Sequence, residues 1–266
     1  MPLKIGPEGR LRLGGEGRTV DWLVKMRRLP QALTLEHRLR DRRLRETDVA
    51  RLARLLADFY RSAKPVPMSS TAYRRRFEVN IRTNKRELSR REWNLPAKLV
   101  RSVTTAQLAF LKQHPSLFDE RTHAKRIVES HGDLRPEHIY LGTKPLVLDC
   151  LEFNRTFRIA DPADEMSFLA LECERLRSPQ VGAQLEQRYR RLTGDRVPEG
   201  LLQFYKSERA CLRAKIAILH LREPGVRRAA KWRRRAVQYL KLAQKFVRAF
   251  SREPTASKAA GRPRAD

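Results

Sequence analysis

The apolar positions change their spacing twice along the chain. In LRL (11–13) and TVDWLVKM (19–26) they tend to alternate, and the two segments flank GGEG at 14–17. A period of two around a glycine-rich turn predicts a β-hairpin, closed off by Pro30. Val20, Trp22 and Val24 share one face of its second strand and Leu23 lies on the other. That pattern predicts a strand covered on both sides. From Leu33 the spacing becomes three and four, through Leu35, Leu39 and Leu44, which predicts helix. Thr47 is the predicted N-cap of a second helix with Val49, Leu52, Leu55, Leu56, Phe59 and Tyr60 on one face. KPVPMSS (64–70) breaks the pattern, and FEVNIRTN (77–84) fits either a short strand or the entrance to a helix. Leu99, Val103, Leu108 and Leu111 outline a helix before His114-Pro115.

Next comes a short apolar strand, PLVLDCLEF (145–153), the one β element predicted in the second half of the chain. Helical spacing then returns over Asp164–Leu176, Gln180–Leu192, Leu201–Leu221 and Val226–Phe250. Residues 251–266 have no apolar period and the composition of a disordered basic tail. No internal repeat is present. The expected organisation is a β segment over 1–30, a helical body over 31–250 and the tail.

Composition narrows the class. At 266 residues with 41% hydrophobic positions, the chain can bury a sizeable core. Lys and Arg outnumber Asp and Glu by 58 to 30, a formal charge of +28. Such a charge draws phosphates and other polyanions, and without base-reading motifs it implies sequence-independent binding. It is also what arginine-decorated helix faces produce. Cys150, Cys173 and Cys211 form no CxxC pair, which fits buried thiols in a reducing compartment. No apolar run is long enough to span a bilayer, and the expectation is a cytoplasmic protein.

One stretch stands apart: HGDLRPEHIYLGTKPLVLDC, residues 131–150. A tight His-Gly-Asp turn can aim the Asp133 carboxylate into a cleft. Asp149, at the end of the following strand, is an oxygen donor suited to Mg²⁺. Singly, Asp133 reads as a turn residue and Asp149 as a strand-end cap. Downstream, seven acids against two bases lie between Asp149 and Glu174. That local excess fits a metal or cationic ligand, or helix N-terminal acids paired with arginines.

HGDLRPEHI followed by LVLDCLEFN resembles the catalytic segment of the aminoglycoside phosphotransferase family, which has a protein-kinase-like fold. IADPADEMSFLALECERL, FYKSERACLRAKIA and VDWLVKMRRLP resemble later and earlier segments of an uncharacterised bacterial subgroup of that family. The resemblance covers roughly residues 11–245 and is most specific over 131–154.

It implies an α+β fold, mainly the helical C-lobe of a kinase-like protein behind a truncated N-terminal hairpin and hinge. Asp133 would be the catalytic aspartate and Asp149 the metal ligand. His131 and Gly132 would form the structural turn, and the backbone of Met26, Arg27 and Arg28 would meet the adenine edge. Where the family has Asn, this chain has His138, either a metal ligand or a hydrogen-bonded turn histidine. Imidazole nitrogen matches Mg²⁺ less well than an amide oxygen does.

The resemblance aligns VDWLVKM with a late strand of the N-lobe. Lys25 is then a strand-end charge, not a phosphate-binding lysine with Glu36 or Glu46 as partner. Further strands are expected before Met1. No GxxxxGK[ST] loop occurs. The function implied is transfer of the terminal phosphate of ATP or GTP, with Mg²⁺ or Mn²⁺, to a hydroxyl of a small molecule. The alternative is a catalytically inactive kinase-like module that binds nucleotide, protein or nucleic acid through its basic surface.

Overall fold

A computed structural model describes residues 1–252, except positions 27, 224, 226 and 227. The chain divides into two compact units, Met1–Leu33 and the remainder from Thr34. The architecture mixes helix and sheet.

The first unit is a three-stranded antiparallel sheet. β1 (Pro2–Ile5) is the central strand, with β2 (Leu11–Leu13) and β3 (Arg18–Trp22) on either side of it. Leu3 pairs with Leu13 on one edge and with Asp21 on the other. The predicted hairpin therefore does not form: LRL and TVDWL both pair with β1 and not with each other. Pro2 and a four-residue length hid β1 from a period-two reading. The expected two-sided burial is also overturned. Val20, Trp22 and Val24 are exposed, Trp22 and Val24 by more than two thirds.

The second unit is helical. After α1 (Leu35–Arg40) and α2 (Glu46–Ser62) come α3 (Ser70–Leu88), α4 (Ala97–Gln113) and α5 (Pro115–His123). Thr34 caps α1 by accepting the His37 N–H. Arg45, and not Thr47, is the N-cap of α2. Asp48 accepts the Arg45 N–H and so closes the first turn from inside, leaving Thr47 within the helix. FEVNIRTN lies within α3, where Tyr73, Phe77, Ile81 and Leu88 face the interior.

Two short ribbons carry the middle of the chain. β4 (Val128–Glu129) pairs with β7 (Ile159–Ala160), and β5 (Ile139–Leu141) pairs with β6 (Pro145–Val147). The predicted strand 145–153 thus ends at Val147, because Asp149 turns the backbone left-handed at φ 65°. α6 (Pro162–Arg175), α7 (Pro179–Thr193), α8 (Glu199–Leu219) and α9 (Ala229–Phe250) complete the unit. Position 226, the predicted start of the last helix, and 253–266 of the predicted tail lie outside the described residues.

α6 is buried along nearly its whole length. It packs so tightly on α7 that a Cβ at Gly182 would come within 2.8 Å of the Ala170 Cα. On another side an aromatic cluster of Tyr73, Phe77, Phe110, Phe118, Phe204 and Tyr205 joins α3, α4, α5 and α8. Burying such rings supplies much of the cohesion between helices. Cys173 and Cys211 are buried as expected, whereas Cys150 is exposed on the loop after β6.

Candidate functional site

Residues 130–138 form a loop between the two ribbons, and the ribbons fix both of its ends. Ser130 N–H donates to the Arg158 carbonyl at 2.7 Å. Leu134 is fully buried and anchors the loop in the core beside α2 and α6. Gly132 sits at φ 84°, where a Cβ would lie 3.1 Å from both the Leu151 side chain and the Phe157 carbonyl oxygen. Glycine is required there on both counts.

The turn is held from beneath by Glu165, on the first turn of α6. Its carboxylate accepts the His131 N–H at 3.0 Å, the Gly132 N–H and the Tyr60 hydroxyl. This residue fixes the His-Gly-Asp turn, and the sequence offered it only as one of several acids. Its neighbours are tied as firmly. Asp161 caps α6 and takes Arg121 in a buried network with Asp195. Asp164 holds Arg209 through two bonds of 2.8 and 2.6 Å. Glu172 pairs with Arg175 and accepts from Tyr239. The acid excess after Asp149 is therefore mostly a set of buried ion pairs and caps. Of the two readings of these acids, caps, hydrogen bonds and ion pairs account for Asp161, Asp164, Glu165 and Glu172, and Glu174 meets Lys245.

His131 is buried, and its ring ties the loop to the segment after β6. Nε2 lies 2.9 Å from the Leu148 carbonyl, which can only accept, so Nε2 carries the proton and Nδ1 accepts the Asp133 N–H at 3.3 Å. Asp133 follows with its side chain 18% exposed. Arg135 Nε and Nη2 both meet Asp133 Oδ2, at 2.8 and 2.7 Å. No described residue bonds to Oδ1.

His138 stands on the far side of Arg135. Its Nδ1 donates to the Asp133 carbonyl at 3.0 Å, so Nε2 is the bare nitrogen and accepts from Arg135 Nη2 at 3.0 Å. Burial first, and then the Arg135 charge, lower the His138 pKa and favour this neutral form. Asp149 brings Oδ2 to 3.2 Å from Nε2, with its own side chain 79% exposed. Asp133, Arg135, His138 and Asp149 are thus gathered into one chain of contacts.

The arrangement does not fit a protein-built Mg²⁺ site. The donors are the exposed Asp149 carboxylate, the free oxygen of Asp133 and one imidazole nitrogen, and the Arg135 guanidinium already occupies the space beside that nitrogen. Among the described residues no group of three His, Cys, Asp or Glu side chains could hold a metal ion. Octahedral Mg²⁺ favours oxygen, and a fixed guanidinium repels it.

Met26 and Arg28, expected at the adenine edge, belong to the first compact unit, where both are exposed. Arg27 lies outside the described residues. Lys25 is exposed in the same unit.

Asp133 opens onto a cavity of about 670 Å³ between the loop, α3 and α8. Arg76, Asn80, Glu208, Arg213 and Lys215 line it together with Asp133. Sequence reasoning missed all of these except Asp133. Their one signal is that Glu208 and Lys215 lie seven residues apart, two turns along one face of α8.

No family model matches the chain, and no solved structure matches it. It is similar to two uncharacterized mycobacterial proteins, Rv2004c of Mycobacterium tuberculosis and Mb2027c of Mycobacterium bovis. Each is 32% identical over 139 residues, which is 52% of this chain and 27% of the relative. The chain thus spans about a quarter of the length of the curated relatives it matches, and neither name carries an activity.

Proposed function

We propose that this chain is a phosphotransferase-like protein of the kinase-like type, moving the terminal phosphate of ATP or GTP to a hydroxyl of a small molecule. The observation that supports the reading is the state of Asp133. It lines the cavity between the loop, α3 and α8, one of its oxygens is fixed by Arg135, and the other is left free. In such a transfer the acceptor oxygen bonds to the terminal phosphorus as the bond to the nucleoside diphosphate breaks. The proton released goes to Asp133 Oδ1. Arg135 holds the carboxylate in place and sets a positive charge beside the transferring group. Positioning and electrostatics of this kind carry most of phosphoryl transfer.

The test is Asp133→Asn. Phosphate transfer, followed with radiolabelled nucleotide, should fall by ~10²–10⁴-fold, while thermal stability stays near that of the parent. Undiminished transfer in the variant would remove Asp133 from the reaction.

A second reading is an inactive kinase-like module that binds polyanions. It is favoured by a separate concavity of about 980 Å³ lined by Arg38, Arg40, Arg42, Arg45, Arg175 and Arg177, with Glu46 as its one acid. Stabilisation by heparin, without stabilisation by nucleotide, would favour this reading. Among the described residues no helix is long and apolar enough to cross a membrane.

A further inference from the structure

The cavity beside Asp133 carries an unbalanced set of charges. Its basic residues are Arg76, Arg135, Arg209, Arg213 and Lys215, and its acids are Asp133, Asp164 and Glu208. Arg135 is taken by Asp133 and Arg209 by Asp164. Arg213 turns toward Glu172, at 3.6 Å, and over the Tyr239 ring. Arg76 and Lys215 remain without a carboxylate partner among the described residues.

Arg76 is not a loose surface charge. It donates to the carbonyls of Ile159 and Thr156, the latter at 3.1 Å, which fixes its guanidinium at the cavity wall. Lys215 is half-buried on α8. Burial lowers both cations' pKa. An isolated buried charge is unfavourable unless something of opposite sign meets it.

Glu208 is the second anomaly. It is 3% exposed, yet its Oε1 has no hydrogen-bond partner. A buried acceptor with no donor is destabilising, so it calls for a ligand that brings an O–H or N–H group. The α-helical rise puts Glu208 and Lys215 about 10 Å apart along α8. The cavity of about 670 Å³ has room for a molecule of sugar size.

We infer that the cavity binds a small polyhydroxylated anion, a sugar acid or sugar phosphate, as the acceptor. Its acidic group lies against Arg76 and Lys215, and one of its hydroxyls donates to Glu208. This rests on the phosphotransferase reading only in calling the ligand the acceptor; the binding site itself stands without it. Selectivity follows from charge. A cationic sugar would meet two cations that have no ion-pair partner among the described residues, and a neutral sugar would leave them so.

The experiment measures binding to the whole protein by calorimetry at 0.15 M salt, with gluconate, glucose 6-phosphate, glucose and glucosamine as probes. Inorganic phosphate at equal concentration is the control for simple ion attraction to a chain of charge +28. One or both sugar anions should bind at least tenfold more tightly than glucose, glucosamine or inorganic phosphate. Which of the two wins tells a carboxylate site from a phosphate site. Arg76→Gln and Lys215→Gln should each weaken that binding by tenfold or more. Arg75→Gln, an exposed neighbour on α3, should leave it unchanged.

Equal binding of glucose or glucosamine would overturn the inference, as would anion binding that survives both cavity variants. So would affinity for inorganic phosphate equal to that for the sugar anions. Asp133→Asn separates this inference from the reading of function. If the sugar anion binds parent and variant alike but the parent never phosphorylates it, the pocket stands and the phosphotransferase reading falls. If the parent phosphorylates glucosamine or glucose with a higher kcat/KM than either anion, the reading stands and the inference falls.

Discussion

Replacing Glu208 by Gln should change how the stability of the helical unit depends on pH. Burial, as the largest influence, raises the Glu208 pKa from 4.5 to about 7, with Arg209 acting against it and Asp164 reinforcing it. Below pH 4.5 the residue is protonated in both folded and unfolded chains, so it makes no difference. Between 4.5 and about 7 the unfolded chain releases the proton and the folded chain keeps it. Stability therefore declines as pH rises through this window and levels off above it.

At ~1.4 kcal/mol per pH unit the loss comes to roughly 3 kcal/mol, which is an upper bound because solvent screening reduces it. Gln has nearly the same shape and no charge to bury, so the variant should lack this slope. A pH-independent offset from the new amide shifts the whole curve and leaves the slope readable. The assay is denaturant unfolding followed by far-UV circular dichroism, which reports mainly the helices, at fixed ionic strength from pH 4.5 to 8. The variant should gain up to about 3 kcal/mol on the parent across that range, or several degrees in Tm. Parallel curves for the two proteins would refute the assignment of Glu208 as a buried, unsatisfied carboxyl.

Other consequences can be measured independently. Gly132→Ala forces a side chain into a left-handed turn and against Leu151 and Phe157; it should cost ~1–3 kcal/mol in chemical denaturation. Glu165→Ala strands the Tyr60 hydroxyl and two backbone N–H groups. Its loss in the same assay should exceed about 3 kcal/mol, at ~1–3 kcal/mol per stranded donor. The lowered His138 pKa makes a contribution that is present above the ordinary value of 6.5 and lost as pH falls through the folded value. His138→Asn should flatten that acid limb, and an unchanged limb would show that another group sets it. Gly182→Ala drives a methyl into Ala170. It should lower Tm by several degrees in thermal unfolding followed by circular dichroism.

The later helices were legible because a single stripe repeats in each. α9 keeps Ala236, Tyr239, Leu240, Ala243 and Phe246 at spacings of three and four, and one partner face suffices to bury them. α3 was not legible: FEVNI alternates like a strand, and arginines interrupt its apolar row. Its helical state depends on Phe77 and Ile81 meeting aromatic residues from α4, α5 and α8, which are remote in sequence.

The His-Gly-Asp turn could be found in the sequence because glycine and aspartate are local devices, needed by the turn itself. Which acids were free to act could not. A carboxylate looks alike in a sequence whether it lines a cavity or neutralises an arginine, and Asp164 and Glu208 differ only in that Arg209 reaches the first of them with two bonds. The sequence by itself determined the helical runs, the turn at Gly132 and the large positive charge, since each depends on neighbours within a few residues. Only the tertiary structure decided that β1 stands between its two partners, that Arg135 takes one side of Asp133, and that Arg76, Glu208 and Lys215 share a cavity with it. Those are pairings between distant segments, and their free energies depend on burial and distance, which exist only once the chain has folded.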